Sequence, residues 1–198
     1  ELRYRYFEQL RQDIQADGIC VAHHQDDSAE TILLNLLRGT GIHGLTGIKP
    51  RNGYILRPLL CLSRKDIIEY LREQNQTFVT DSSNLETDAV RNKIRLNIIP
   101  RLKDISPNVC QQILNTAQRL NEASKVYDET IQDALSRLIK NESLEVGVLL
   151  KEASPESILY EWLFPMGFDP KTIEQISQSL TIIQSGKEWK SATHQLTF

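Results

Sequence analysis

The apolar positions along the chain change period several times, and each change marks a predicted element. Leu2, Tyr6, Leu10 and Ile14 recur every four residues, the spacing of one helix face. Asp17-Gly18 ends that pattern, and Ile19-Cys20-Val21-Ala22 predicts a short buried strand. After a polar stretch, Ala29, Ile32, Leu33, Leu36 and Leu37 fall at i, i+3, i+4, i+7 and i+8, an amphipathic helix that Gly39 stops. RGTGIHGLTG (38–47) is glycine-rich and reads as a loop. Residues 54–60 predict a strand whose Pro58 end lies near a sheet edge. Ser63 with Asp66 forms a capping box for a helix through Leu71, and residues 76–80 predict a third strand. Strands alternating with helices predict an α/β sheet with parallel strands.

Beyond residue 105 the pattern is helical. Ser106-Pro107 suits an N-cap followed by N1. From there Ile113, Ala117, Leu120, Ser124, Tyr127, Ile131, Ala134 and Leu138 alternate steps of four and three, which predicts one long helix ending near Asn141. Ser154-Pro155 and Asp169-Pro170 open two shorter helices by the same chemistry, and the tail GKEWKSATHQLTF alternates as a strand pair would. The expected organisation is therefore an α/β domain over 1–105 and a mostly helical domain over 106–198, with the boundary near 103–108.

Composition changes this picture little. The 198 residues are 40% hydrophobic and 25% charged, enough for a real core and without repeats or low-complexity tracts. No apolar run approaches the length of a membrane span, so no membrane partner is expected. Cys20, Cys61 and Cys110 form no CxxC pair, which fits a reduced, cytoplasmic chain. The net charge of −3 is not that of a generic nucleic-acid binder, but RNKIRLNIIPRLK (91–103) holds five basic residues and no acid. The chain opens at Glu1 in mid-helix with no initiator methionine, so a fragment of a longer protein is expected.

HHQDDSAET (23–31) crowds two histidines, two aspartates and a glutamate ahead of an apolar helix. The bland reading is a capping box with Asp27 as cap and Glu30 three residues on. That leaves Asp26 and two histidines at a strand end unexplained. In α/β sheets ligands sit beyond the carboxyl ends of strands, and a helix start offers free N–H groups to a phosphate. A two-metal phosphohydrolase is the rival chemistry, but only His43 and His194 remain as further histidine ligands.

AHHQDDSAETILLNLLRGTGIHGLTGI (22–48), ILRPLLCLSRKDIIEYL (55–71), TDSSN (80–84) and RNKIRLNIIPRL (91–102) together resemble the tRNA(Ile)-lysidine synthetase family of the PP-loop ATP pyrophosphatase superfamily. Residues 107–198 resemble that family's helical domain more loosely, best at SGKEW (185–189). The resemblance implies a partial PP-loop, Rossmann-like parallel-sheet domain followed by a mostly helical one. It implies a cytoplasmic ligase that adenylates the wobble cytidine of a CAU-anticodon isoleucine tRNA with ATP and Mg²⁺, then joins free L-lysine to C2, so that AUA is read instead of AUG. On it, His24, Asp27 and Glu30 are the catalytic candidates, and His23, Asp26, Arg38 and Arg57 handle lysine or phosphate. Arg91, Asn92 and Arg95 meet the tRNA, no resident metal is expected, and a homodimer is a further expected partner arrangement. The superfamily's Ser-Gly-Gly-x-Asp-Ser loop is absent from these residues, so the chain alone is expected to be inactive and to leave a sheet edge open. Other readings are a PP-loop enzyme that thiolates a pyrimidine, and a non-catalytic tRNA- or protein-binding module built on the long helix.

Overall fold

The computed structural model describes residues 2–79, 90–182 and 185–198. Two compact units emerge, Glu1–Ser124 and Lys125–Phe198, dividing within a long helix.

The first unit opens with helix α1 (Leu2–Asp13), strand β1 (Ile19–Cys20) and helix α2 (Gln25–Leu37). The helix predicted at the start is present, but its Leu2, Tyr6, Leu10 and Ile14 face is exposed, by 82%, 65%, 42% and 65%. Helix α1 is held from its other side, where the Arg11 guanidinium lies 3.8 Å over the Tyr54 ring. After α2 come a 3₁₀ turn (Ile42–Leu45), strands β2 (Arg51–Asn52) and β3 (Ile55–Leu56), and a second 3₁₀ turn (Pro58–Cys61).

The sheet order is β1-β3-β2, with β1 parallel to β3 (Ile19 opposite Ile55) and β2 antiparallel to it. Both predicted strands are shorter than expected, and Cys20 is exposed rather than buried. Pro58 is what shortens the strand predicted at 54–60. It has no N–H for the ladder and its fixed φ suits the first position of a helical turn, so pairing ends at Leu56.

Helix α3 (Arg64–Glu73) starts at the predicted box: Ser63 Oγ accepts the Asp66 N–H at 3.1 Å while the Asp66 carboxylate accepts the Ser63 N–H at 2.9 Å. The strand predicted at 76–80 is absent over its described residues. Asn75 turns the chain at φ 51°, the Gln76 N–H returns to the Leu71 carbonyl, and Val79 is 96% exposed. Thr80 and the TDSSN stretch lie outside the described residues.

A second helical run follows as α4 (Val90–Lys93), a π turn (Ile94–Ile98) and α5 (Ile99–Ile105). Pro100 supplies no N–H and its ring crowds the carbonyl four residues back, so the helix widens there. Helix α6 (Val109–Leu138) starts two residues later than the Ser106-Pro107 pair predicts. Its predicted stripe is the side turned inward: Ala117, Ser124, Ile131, Ala134 and Leu138 are all buried.

In the second unit the rest of α6 leads into a hairpin of β4 (Ile139–Lys140) and β5 (Ser143–Leu144). Helices α7 (Val146–Leu149), α8 (Pro155–Leu163) and α9 (Pro170–Ser179) follow, the last two opened by the predicted Ser-Pro and Asp-Pro pairs. The Asp169 carboxylate accepts the N–H groups of Lys171 and Thr172. Leu149, Leu163, Phe168, Ile176 and Trp189 lie in the core, which the predicted tail hairpin of β6 (Glu188–Lys190) and β7 (Gln195–Thr197) closes.

Candidate active site

The polar cluster sits where β1 gives way to α2. His24, not Asp27, is the N-cap, and Asp27 is the third helical residue, its carboxylate accepting the His24 N–H at 3.0 Å. The capping frame expected from the sequence is thus displaced by three residues, and Glu30 is inside the helix with no capping task. Asp27 and Glu30, three apart, share one face and are 8% and 2% exposed.

Buried carboxylates need partners, and α4 with its π turn provides them. Arg91 Nε donates to Glu30 Oε2 at 2.9 Å, and its Nη2 donates to Asp27 Oδ1 at 3.2 Å. Arg95 Nε donates to Glu30 Oε1 at 2.6 Å, and its Nη2 reaches Glu30 Oε2 at 2.8 Å and Asp27 Oδ1 at 3.3 Å. Two negative and two positive charges form one cluster that ties α2 to residues 91–95. The Glu30 carboxylate holds the Arg95 guanidinium above its ordinary range.

His24 lies against the same group, with Nε2 3.4 Å from Asp27 Oδ2 and Nδ1 3.7 Å from Asp26 Oδ2. Its Nδ1 is buried and makes no hydrogen bond among the described residues. Asp26 accepts the Arg64 backbone N–H at 2.8 Å, which joins the start of α3 to the start of α2. His23 Nδ1 accepts from Arg57 Nε at 3.1 Å, and Arg57 Nη1 also donates to the Lys49 carbonyl at 2.7 Å. Burial pushes the His23 imidazole below its ordinary range, and the Arg57 charge pushes the same way while Asp27 opposes it.

A cleft of about 510 Å³ opens beside this cluster. His24, Asp26 and Glu30 line one side, and Arg64, Arg72 and Lys103 bring positive charge from α3 and α5. Arrangements of this kind hold an ammonium group near the carboxylates and an anion near the guanidinium groups.

The structure therefore brings together His23, His24, Asp26, Asp27, Glu30, Arg57, Arg91 and Arg95. It does not bring Arg38, which ends α2 about 12 Å beyond Glu30 and about 16 Å beyond Asp27 by helix rise and is exposed. Asn92 is half-buried on α4 beside Arg91. The sequence reading missed the basic wall of the cleft, and it missed that Arg91 and Arg95 hold carboxylates. The signal was present: a four-residue step between arginines opposite a three-residue step between acids. Among the described residues no group of three or more His, Cys, Asp or Glu side chains forms a metal-ligand set.

Comparison with known proteins places the chain in a family. A family model described as a PP-loop domain matches residues 1–102, and one described as a TilS substrate binding domain matches 140–198. A tRNA(Ile)-lysidine synthase of Bacteroides thetaiotaomicron is 49% identical over 191 residues, which are 96% of this chain and 45% of that protein. Those of Parabacteroides distasonis and Porphyromonas gingivalis are 42% and 39% identical, each over 99% of this chain and 45% and 43% of the relative. The chain thus spans less than half the length of these curated relatives. With more than half of its residues under the first of these family models, the chain belongs to the PP-loop domain family.

Proposed function

We propose that the protein carrying this chain is a lysidine-forming tRNA ligase. ATP adenylates the C2 oxygen of the wobble cytidine and pyrophosphate leaves. An amine of free lysine then attacks C2, and AMP departs. What supports this most is the Asp27–Glu30 pair, buried under Arg91 and Arg95 beside a cleft of mixed charge, in a chain similar to tRNA(Ile)-lysidine synthases.

Each neighbour has a task in this reading. The carboxylate side of the cleft receives the lysine ammonium, with Asp26 the acid least engaged by arginine. His24 Nδ1, buried with no hydrogen bond among the described residues, accepts the proton the attacking amine must lose. Arg64, Arg72 and Lys103 meet the phosphates of ATP and its leaving pyrophosphate, and Mg²⁺ arrives with the nucleotide rather than on Glu30, whose oxygens are taken by arginine. Arg57 fixes His23 as a neutral acceptor. Arg91 and Arg95 both hold the carboxylates, and Arg91, the more exposed at 37% against 24%, forms the RNA-facing pair with Asn92. The PP-loop domain over 1–105 then carries the chemistry and 106–198 the tRNA-facing helices.

The test supplies the full-length protein with ATP, labelled lysine and a CAU-anticodon isoleucine tRNA transcript. ATP-dependent label in the RNA is expected. RNA that is bound but never labelled would move the assignment to another PP-loop modification or to a binding module.

A further inference from the structure

The first turn of α2 stands between two cavities. Asp26 and Glu30 line the charged cleft, while Gln25 and Ser28, on the opposite side of the helix at 3.6 residues per turn, line a second cavity of about 330 Å³. Its far wall is one face of α6, where Gln111, Asn115, Gln118 and Asn121 project at helical spacing.

The chemistry of the two cavities differs. The first is lined by charges of both signs. In the second, Lys49 is the one ionisable lining residue among those described, and side-chain amides predominate. With no carboxylate among its described lining residues, this cavity is a poor receptor for the ammonium group of a free amino acid. Amides carry a donor and an acceptor on one planar group, which matches the edge of a heterocyclic base.

Some of these amides are already engaged: Gln25 Nε2 donates to the Cys61 carbonyl at 3.0 Å and Gln111 Nε2 to Asn115 Oδ1 at 2.9 Å. The side chains of Gln118 and Asn121 make no hydrogen bond among the described residues. Between and opposite them Ala117, 4% exposed, leaves room, and Pro50, Leu60 and Leu114 offer apolar surface to the face of a ring.

We propose that this cavity receives one unpaired nucleobase of the RNA loop that presents the reacting cytidine, read by Gln118 and Asn121. Unstacked loop bases are recognised in this way, by contact on a face and hydrogen bonds on an edge. The inference rests on the RNA-modifying reading above and adds a base-specific subsite to it.

Affinity of the full-length protein is measured for a stem–loop RNA with a CAU loop and for versions in which each other loop base is exchanged in turn. Wild type, Gln118→Leu and Asn121→Leu are compared, and lysine transfer by the wild type is assayed separately. One exchange is expected to weaken wild-type binding roughly tenfold, the discrimination that a good base-edge contact provides. The two variants should bind that exchanged RNA and the parent RNA alike. Discrimination retained in both variants, an equal loss for every RNA, or a wild type indifferent to all exchanges would each overturn the subsite while leaving lysine transfer intact. A wild type that neither binds nor modifies RNA removes the reading beneath it as well.

Discussion

Replacing Glu30 by glutamine keeps the shape of the side chain and removes the charge that holds α2 to residues 91–95. Glu30 is 2% exposed and accepts from Arg91 Nε at 2.9 Å and from Arg95 Nε and Nη2 at 2.6 and 2.8 Å. The amide turns one of those acceptor positions into a donor facing a guanidinium. Breaking a buried ion pair from one side costs roughly 3–5 kcal/mol. Arg91 and Arg95 are 37% and 24% exposed, so water recovers part of that, and about 2–4 kcal/mol remains. The consequence is local, because the four charges lie on these two segments. In hydrogen exchange read by mass spectrometry, peptides from 25–37 and 90–105 should exchange roughly 30- to 700-fold faster, at 1.4 kcal/mol per tenfold. Peptides from Lys125–Phe198 should not change. Adding Arg95→Met should cost less in the Glu30→Gln background than alone, by about 1–3 kcal/mol of coupling. An acceleration under threefold, or additive variants, would mean that the cluster does not join the two helical segments.

Other perturbations reach the same site from different directions. Because burial lowers the His23 pKa below its unfolded value near 6.5, the unfolded chain binds a proton that the folded chain refuses, and stability falls as pH drops through that range. His23→Gln, which keeps an acceptor for Arg57, should lose part of the decline in melting temperature between pH 7 and pH 5; an unchanged profile would refute this. Gly47→Ala should destabilise more than Gly53→Ala, although both glycines have positive φ and each alanine pays about 1–2 kcal/mol of backbone strain. A Cβ at Gly47 would stand 2.7 Å from Ser28 Oγ, the acceptor of the Ile48 N–H, whereas one at Gly53 meets nothing within 4 Å. Equal melting temperatures for the two variants would sink that argument.

How far the sequence foretold the structure depended on whether a pattern was local. Helix starts at Ser63, Ser154 and Asp169 and the long stripe of α6 were legible because caps and helical period act over a few residues. Strand lengths were not, because pairing depends on a distant partner: Thr77, Phe78 and Val79 all favour strands and pair with nothing among the described residues. The opening helix was legible while the fate of its apolar face was not, since periodicity says which residues share a face and not what covers it. At the site, HHQDDSAET identified the right helix start. Its caps were misread because a histidine, outside the favoured N-cap residues, occupies that place. The arginine partners of Asp27 and Glu30 lie some sixty residues away; their four-residue step puts them on one helix face, but only the tertiary fold sets that face against α2.

Whether the buried pair on α2 serves the reaction is tested most directly by Asp27→Asn in the full-length protein. Lysine transfer and affinity for the CAU-anticodon tRNA are measured on the same preparation. RNA binding close to wild type, which certifies the fold, is expected together with turnover reduced roughly hundredfold or more. Turnover equal to wild type alongside intact RNA binding would contradict that role and leave the Asp27–Glu30–Arg91–Arg95 cluster a purely architectural joint.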